Sequence, residues 1–553
     1  MTKGIAASPG YAAGPVFLLQ EADLTISTES IANDAADQEW SSLVHALEQT
    51  KEDLRETKQK VAEKIGEEES AIFESHLMIL DDPALTGDIQ SEIENERKNA
   101  AWAVHDVFSK HAEMFASLDD PYMKERASDF RDLEKRVLKH LLGVVDASLE
   151  SIQEPVILVA YDLTPSDTAR LDPQTIKGII TEIGGSTSHS AILARNLQIP
   201  AVVGCPNITK QLAAGDMAAL DGSSGEVILH PTADLIKQYQ EKQEEFRTNQ
   251  QRWKASAQEL AVTADGRRVE VAANIGNPSD VKAVLDNGGE AIGLFRSEFL
   301  FLDRDTLPDE EEQFQAYRQV AEEMAGRPVI IRTLDIGGDK QVPALPMDEE
   351  LNPFLGFRAI RLCLDRKELF MTQLRAILRA SHYGKLRIMF PMIAIEAELK
   401  QALEVLEEAK AALKRETVPF DEQIETGIMI EVPSAAIIAD QLAKHVDFFS
   451  IGSNDLIQYT FAADRMNQKV GYLYDPGHTA ILRLIKQVVE HADANGIWVG
   501  VCGEMAGVPE FAKALIGIGV KELSMTASLI PQIKYEISQS SYAELEKQVR
   551  EKL

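Results

Sequence analysis

The sequence predicts a multidomain α/β chain: a small α/β domain interrupted by an α-helical insert, a linker helix, and a C-terminal (β/α)8 barrel. Three observations carry this expectation. Short runs rich in Val, Ile, Gly and Pro fill residues 1–20 and 150–230. Residues 25–145, between them, place apolar side chains at three- and four-residue steps. Beyond residue 258, eight apolar runs alternate with helical patterns, the signature of a barrel of parallel strands.

Taken in order, "EPVILVAYDL", "TIKGIITEIGG", "IPAVVGC" and "GEVILHP" read as strands bounded by turn residues, so residues 1–24 and 146–231 form the small domain. Residues 25–145 form the helical insert, with "DQEWSSLVHALEQTKEDLRETKQKVAEKIG" and "SDFRDLEKRVLKHLLGVV" as its clearest amphipathic stretches. That insert holds 14 Lys and Arg against 27 Asp and Glu, a net of −13. Residues 232–258 contain "ADLIKQYQEKQEEFRTNQQRWK", polar and without glycine or proline, which predicts a semi-rigid linker helix. Residues 259–553 supply the barrel strands: "VEVAANIG", "AIGLFRSEF", "VIIRTLDIG", "LRIMFPMI", "TGIMIEVP", "DFFSIGSNDL", "GIWVGVCGEM" and "KELSMTASL".

Composition narrows the function. With 44% hydrophobic and 26% charged residues the chain reads as globular. The N-terminal stretch lacks the apolar core of a signal peptide, and no uncharged run is long enough to span a bilayer, so no membrane insertion is expected. The three cysteines, Cys205, Cys363 and Cys502, are widely spaced and form neither a disulfide framework nor a zinc set, which predicts a cytoplasmic protein. A net charge of −33 repels nucleic acid and favours basic partners, although acidity also simply keeps a protein soluble.

Barrel enzymes place their chemistry at the C-terminal strand ends. Those ends carry Arg296, Arg332, Glu431, Asn454, Asp455, Cys502 and Glu504, with Arg465 a little beyond. Glu431 and Asp455 end successive strands and could share one hard cation, in the manner of Mg²⁺. Three arginines around it point to a small, multiply charged anion, because guanidinium groups fork onto phosphate and carboxylate oxygens. No Walker or dinucleotide fingerprint is present, and "GGDK" at 337–340 is a weak signal alone. Cys502, in "GVCGEMAG", reads either as a buried inert thiol or as an acid or base beside the anion.

A second candidate lies in the small domain. "GGSTSHSAILAR" (184–195) sets His189 after paired glycines and between serines, where a loop becomes a helix. Glycines allow close backbone approach, helix-start amides favour an anion, and a neutral imidazole can carry a phosphoryl group. A helix-capping histidine is the plainer alternative.

These stretches together resemble the phosphoenolpyruvate-utilising enzymes. "GGSTSHSAILAR" is similar to the family's phosphohistidine loop and "DLTPSDTA" (162–169) to a second stretch of the same domain; "GLFRSEFLF", "IRTLDIGGDK", "NPFLGFRAIR", "IEVPSA", "SIGSNDLIQYTFAADR" and "GVCGEMAG" are similar to its substrate barrel. Within the family the chain resembles the branch that opens bacterial phosphotransferase sugar uptake. The resemblance implies that the small domain swivels and that His189 takes the phosphoryl group of phosphoenolpyruvate, releases pyruvate, and passes the group to the carrier protein HPr. It implies further that Thr168 bonds His189, that Arg296, Arg332, Arg465, Asn454 and Asp455 bind phosphoenolpyruvate with Arg358 in support, and that Glu431 and Asp455 hold Mg²⁺. Cys502 would protonate the enolate carbon, the acidic insert would dock HPr, and the barrel would form a homodimer. Two other readings stand beside it: a dikinase or synthase of the same family, which needs an ATP-binding domain, and a silent scaffold that binds a basic partner through the acidic helices.

Overall fold

The computed structural model describes the chain except for residues 1, 20–23, 33, 65–66, 117–120, 145–148, 150–151, 164–166, 168–170, 186–187, 303, 305, 339–341, 343, 349, 465–466 and 468. It divides into two compact units, residues 1–248 and 249–553.

The first unit contains an eight-stranded sheet: β1 (Thr2–Lys3), β2 (Ile5–Ser8), β3 (Tyr11–Leu18), β4 (Val156–Ala160), β5 (Ile176–Thr181), β6 (Ala201–Val203), β7 (Met217–Asp221) and β8 (Glu226–Leu229), in the order β1-β8-β7-β3-β4-β5-β6-β2. The central strands β3 to β6 run parallel, and the antiparallel pairs lie at the two flanks. Alternation along β4 explains the burial on both faces. Ile157 and Val159 enter one apolar cluster, whereas Leu158 and Ala160 enter another.

Between β3 and β4 the described residues make five helices, α1 (Ala36–Lys64), α2 (Glu67–Leu80), α3 (Pro83–Glu94), α4 (Ala100–Ala116) and α5 (Pro121–Leu142). They close over a core of their own that includes Leu43, Leu54, Phe73, Ile89, Val104, Phe108, Leu133 and Val137. The turn between α2 and α3 stops where Asp82 caps the next helix, accepting from the Ala84 amide at 2.8 Å ahead of Pro83 at its first position. The insert expected at 25–145 is thus a helical bundle, connected to the sheet through neighbouring strands.

The linker expected at 232–258 is a helix over Ala233–Ser256. Its first half is less solitary than its polarity suggests. Tyr239 is buried, and Tyr239 and Phe246 meet Tyr11 of β3 edge-on at 6.1 and 6.2 Å, with Lys242 Nζ over the rings of Tyr11 and Tyr239. Three aromatic residues in a polar stretch were the available sign of this docking.

In the second unit, β9 (Glu270–Ile275), β10 (Ala291–Arg296), β11 (Val329–Arg332), β12 (Leu386–Phe390), β13 (Glu425–Ile430), β14 (Phe448–Ile451), β15 (Trp498–Val501) and β16 (Glu522–Met525) close into a parallel barrel. Seven of the eight expected runs contain one of these strands whole, and the eighth, "TGIMIEVP", begins one residue inside β13. Their outward side chains pack with the surrounding helices into one large core, while Leu294, Ile330, Met389, Met429, Phe448 and Cys502 fill the interior. The helices around it follow the sequence pattern, as at Glu396–Arg415 and Thr479–Ala494. Among the described residues no helix is long and apolar enough to cross a membrane.

Candidate active site at the open end of the barrel

The strands deliver their last residues to one rim. Arg296 and Arg332 end β10 and β11, Glu431 follows β13, and Cys502 follows β15. Asn454 and Asp455 lie in the first turn of the helix Ser453–Phe461, directly after β14. All six line one cavity of about 300 Å³, together with Leu294, Asp335, Phe354, Arg358, Met429, Gly452 and Gly503. Two of these glycines are needed for space. A Cβ on Gly503 would stand 1.8 Å from Ser453 Oγ, and one on Gly452 would stand 2.9 Å from Glu431 Oε2.

Charge in the cavity is densely paired. Arg332 is buried between Glu298, which accepts from Nη2, and Asp335, whose Oδ2 lies 2.9 Å from Nη1. The other oxygen of Asp335 accepts from Arg358 Nη2 at 2.8 Å, so one carboxylate ties two buried guanidinium groups together. Arg358 also lies 3.8 Å from Asp455 Oδ2 and donates to the Tyr459 hydroxyl at 3.4 Å. Burial works against the charge of both arginines, but the carboxylates outweigh it and hold them firmly protonated. Asn454 is fixed by a reciprocal pair with Glu504: its Nδ2 donates to Oε1 at 3.0 Å, and the Glu504 amide donates to Oδ1 at 3.1 Å.

Glu431 is buried and accepts from the Met392 amide at 2.6 Å. Burial, then the neighbouring charges of Asp455 and Asp335, push its carboxyl up to about 8, against the pull of Arg332 and Arg358. A hard divalent cation would offset both the burial of this carboxylate and the charges beside it, and the bare Cα of Gly452 leaves Glu431 Oε2 uncrowded on that side. Glu431 and Asp455 are the kind of oxygen donors such an ion takes, although among the described residues no group of three or more His, Cys, Asp or Glu side chains gathers as a metal site. Cys502 is also buried, with Sγ donating toward the Ile451 carbonyl at 3.7 Å. Burial pushes its thiol up to about 11, so it remains an S–H near neutral pH.

In the first unit, His189 is the first residue of the helix His189–Asn196, as the loop-to-helix reading expects. Ser188, not His189, caps it: Ser188 Oγ accepts from the Ala191 amide at 3.4 Å and stands 3.0 Å from Ser190 Oγ. Gly184 has a φ of +116°, and a side chain there would approach Ser188 Oγ to 3.2 Å, which explains the first glycine of the pair. Thr168 and Arg465 lie outside the described residues.

Sequence reasoning missed Asp335, Glu298, Phe354, Met429 and Leu294 as parts of this neighbourhood. Asp335 had a usable signal, since it stands three residues beyond Arg332 in "IRTLDIGG" at a strand end. The apolar residues had none, because interior strand positions look like ordinary core.

Three family profiles match the chain: the N-terminal domain of PEP-utilising enzymes over residues 3–126, their mobile domain over 152–225, and their PEP-binding domain over 250–542. A phosphoenolpyruvate-protein phosphotransferase of Geobacillus stearothermophilus is 52% identical over 527 residues, covering 95% of this chain and 91% of its own. One from Bacillus subtilis (strain 168) is 50% identical over 544 residues, covering 98% of this chain and 95% of its own. One from Listeria monocytogenes is 49% identical over 551 residues, covering 100% of this chain and 96% of its own. With matches in all three segments and about half of all residues shared end to end, the chain belongs to the PEP-utilising enzymes.

Proposed function

We propose that the chain transfers the phosphoryl group of phosphoenolpyruvate to its own His189, releasing pyruvate, and then hands it to the carrier HPr as the first step of phosphotransferase sugar uptake. One observation carries the reading: arginines, a carboxylate pair and a protonated thiol converge on one barrel cavity, in a chain that shares about half its residues with phosphoenolpyruvate-protein phosphotransferases.

The residues divide the work. Arg296 and Arg332, joined by Arg465, take the phosphate and carboxylate oxygens, and Arg358 supports them through Asp335. Asn454, locked by Glu504, donates to the substrate from a fixed position. Glu431 and Asp455 would hold Mg²⁺, which would supply charge neutralisation at the phosphate and the forming enolate. An imidazole nitrogen of His189 attacks phosphorus as the bond to the enol oxygen breaks, with little covalent help required from the protein. The enolate carbon then takes the proton of Cys502, leaving pyruvate and a thiolate that regains its proton from solvent. Thr168 bonds the active histidine. In the second half-reaction the group leaves His189 for HPr, whose basic docking face suits the helical insert with its net charge of −13.

The active protein is proposed to be a homodimer joined through the barrel, as the resemblance implies. Its three cysteines are unpaired, which suits the cytoplasm. Incubation with labelled phosphoenolpyruvate and Mg²⁺ should give an acid-labile, base-stable phosphoprotein, and His189→Ala should abolish it. Labelling of that variant at a comparable rate would sink the assignment.

A further inference from the structure

We propose that Met429, backed by Leu294, sets the largest group the barrel cavity accepts on the substrate carbon that receives the proton. This rests on reading the cavity as a phosphoenolpyruvate site, and it adds what limits the substrate. The cavity lining is mixed. Beside the arginines and carboxylates it includes Leu294, Met429 and Cys502, which belong to a single barrel-interior cluster with Ile330, Met389 and Phe448. An enolphosphate is likewise mixed, with phosphate and carboxylate at its anionic ends and a bare methylene as its apolar end. Matching polarity lays that methylene against Leu294 and Met429, whose cluster also holds the Cys502 thiol and its proton.

Met429 has little freedom to yield. Its Sδ lies 3.9 Å from Arg332 Nη1, on a side chain that Glu298 and Asp335 hold in place. On another side Gly452 comes so close that a Cβ there would lie 3.0 Å from the same sulfur. Below is the closed interior cluster, and Met429 and Leu294 are only 2% and 3% exposed. A methyl group added to the methylene therefore meets a wall that cannot move aside, although methionine usually adapts.

The test compares kcat/KM for phosphoenolpyruvate and for its methyl homologue, phosphoenolbutyrate, with each geometric isomer measured separately. One carbon in an apolar pocket changes selectivity by about 10- to 200-fold. Met429→Ala should therefore move the ratio toward one isomer of the homologue by about tenfold or more, whereas Met429→Leu, close in volume, should leave it nearly unchanged. Both residues lie in a packed interior, so the milder Met429→Val and Leu294→Val are measured alongside and should shift the ratio in the same direction. Ratios within about threefold of the unaltered protein, in variants that keep its melting temperature, overturn the inference. If the unaltered protein takes no phosphoryl group from phosphoenolpyruvate, the reading of function falls instead.

Discussion

Replacing Asp335 by asparagine keeps the shape of a buried side chain and removes the one charge that joins Arg332 to Arg358. Its two oxygens serve different arginines, at 2.9 and 2.8 Å, so an amide must turn its NH2 toward one of them and present a donor to a donor. Arg332 retains Glu298, but Arg358 is left with Asp455 at 3.8 Å and the Tyr459 hydroxyl at 3.4 Å. Breaking a buried ion pair from one side costs about 3–5 kcal/mol. With about 3 kcal/mol of that expressed as misplaced anion-binding groups, kcat/KM for phosphoenolpyruvate falls on the order of a hundredfold. The assay is steady-state transfer to the protein's own histidine, with circular dichroism and melting as controls for folding. Asp335→Glu should recover little, since a longer side chain cannot keep both contacts. A loss below about fivefold in a folded Asp335→Asn protein would refute the claim that this carboxylate positions the arginines.

Glu431→Gln and Asp455→Asn should each lower Mg²⁺ affinity and turnover severely while the fold is retained; near-normal turnover at low Mg²⁺ in either would mean that the metal pair is misassigned. Cys502→Ala should slow pyruvate formation more than phosphoryl exchange with HPr, because the thiol serves carbon and not phosphorus; equal losses in both assays would make Cys502 structural. A fragment ending after Ser256 keeps Tyr239 and Phe246 against Tyr11, so it should fold, accept the phosphoryl group from phospho-HPr, and fail with phosphoenolpyruvate. Direct labelling of that fragment by phosphoenolpyruvate would end the division of labour argued here.

The barrel was legible because each strand is a short apolar run bounded by turns, and eight of them recur with helices between. Charged residues at strand ends were legible for a related reason: a carboxylate or guanidinium next to a buried run breaks the pattern, as Glu431 does after "TGIMI". Met429 and Leu294 were not, since a strand interior looks the same whether its side chain meets another or a ligand. The docking of the helix Ala233–Ser256 on Tyr11 joins residues more than two hundred positions apart, and no local pattern encodes such a pairing. Asp335 falls between these cases, visible as a charge at a strand end but not as the link between two particular arginines.

If phosphoenolpyruvate and a divalent cation bind this cavity as proposed, its charges would couple the two. Among the described residues, Arg296, Arg332 and Arg358 face Glu298, Asp335, Glu431 and Asp455, so the fully ionised set is slightly negative before any ligand arrives. Glu298 and Asp335 are committed to holding arginines, while burial first, and the charges of Asp455 and Asp335 second, push the Glu431 carboxyl up. A substrate bearing both phosphate and carboxylate gains little from entering such a cavity alone, because the arginines that attract it already have partners. A divalent cation between Glu431 and Asp455 would offset their negative charge and leave the cavity more favourable to an anion. By reciprocity the anion strengthens the hold on the cation by the same factor. On the proposed reading, the buried carboxylates that weaken anion binding by themselves are therefore what would couple it to the metal.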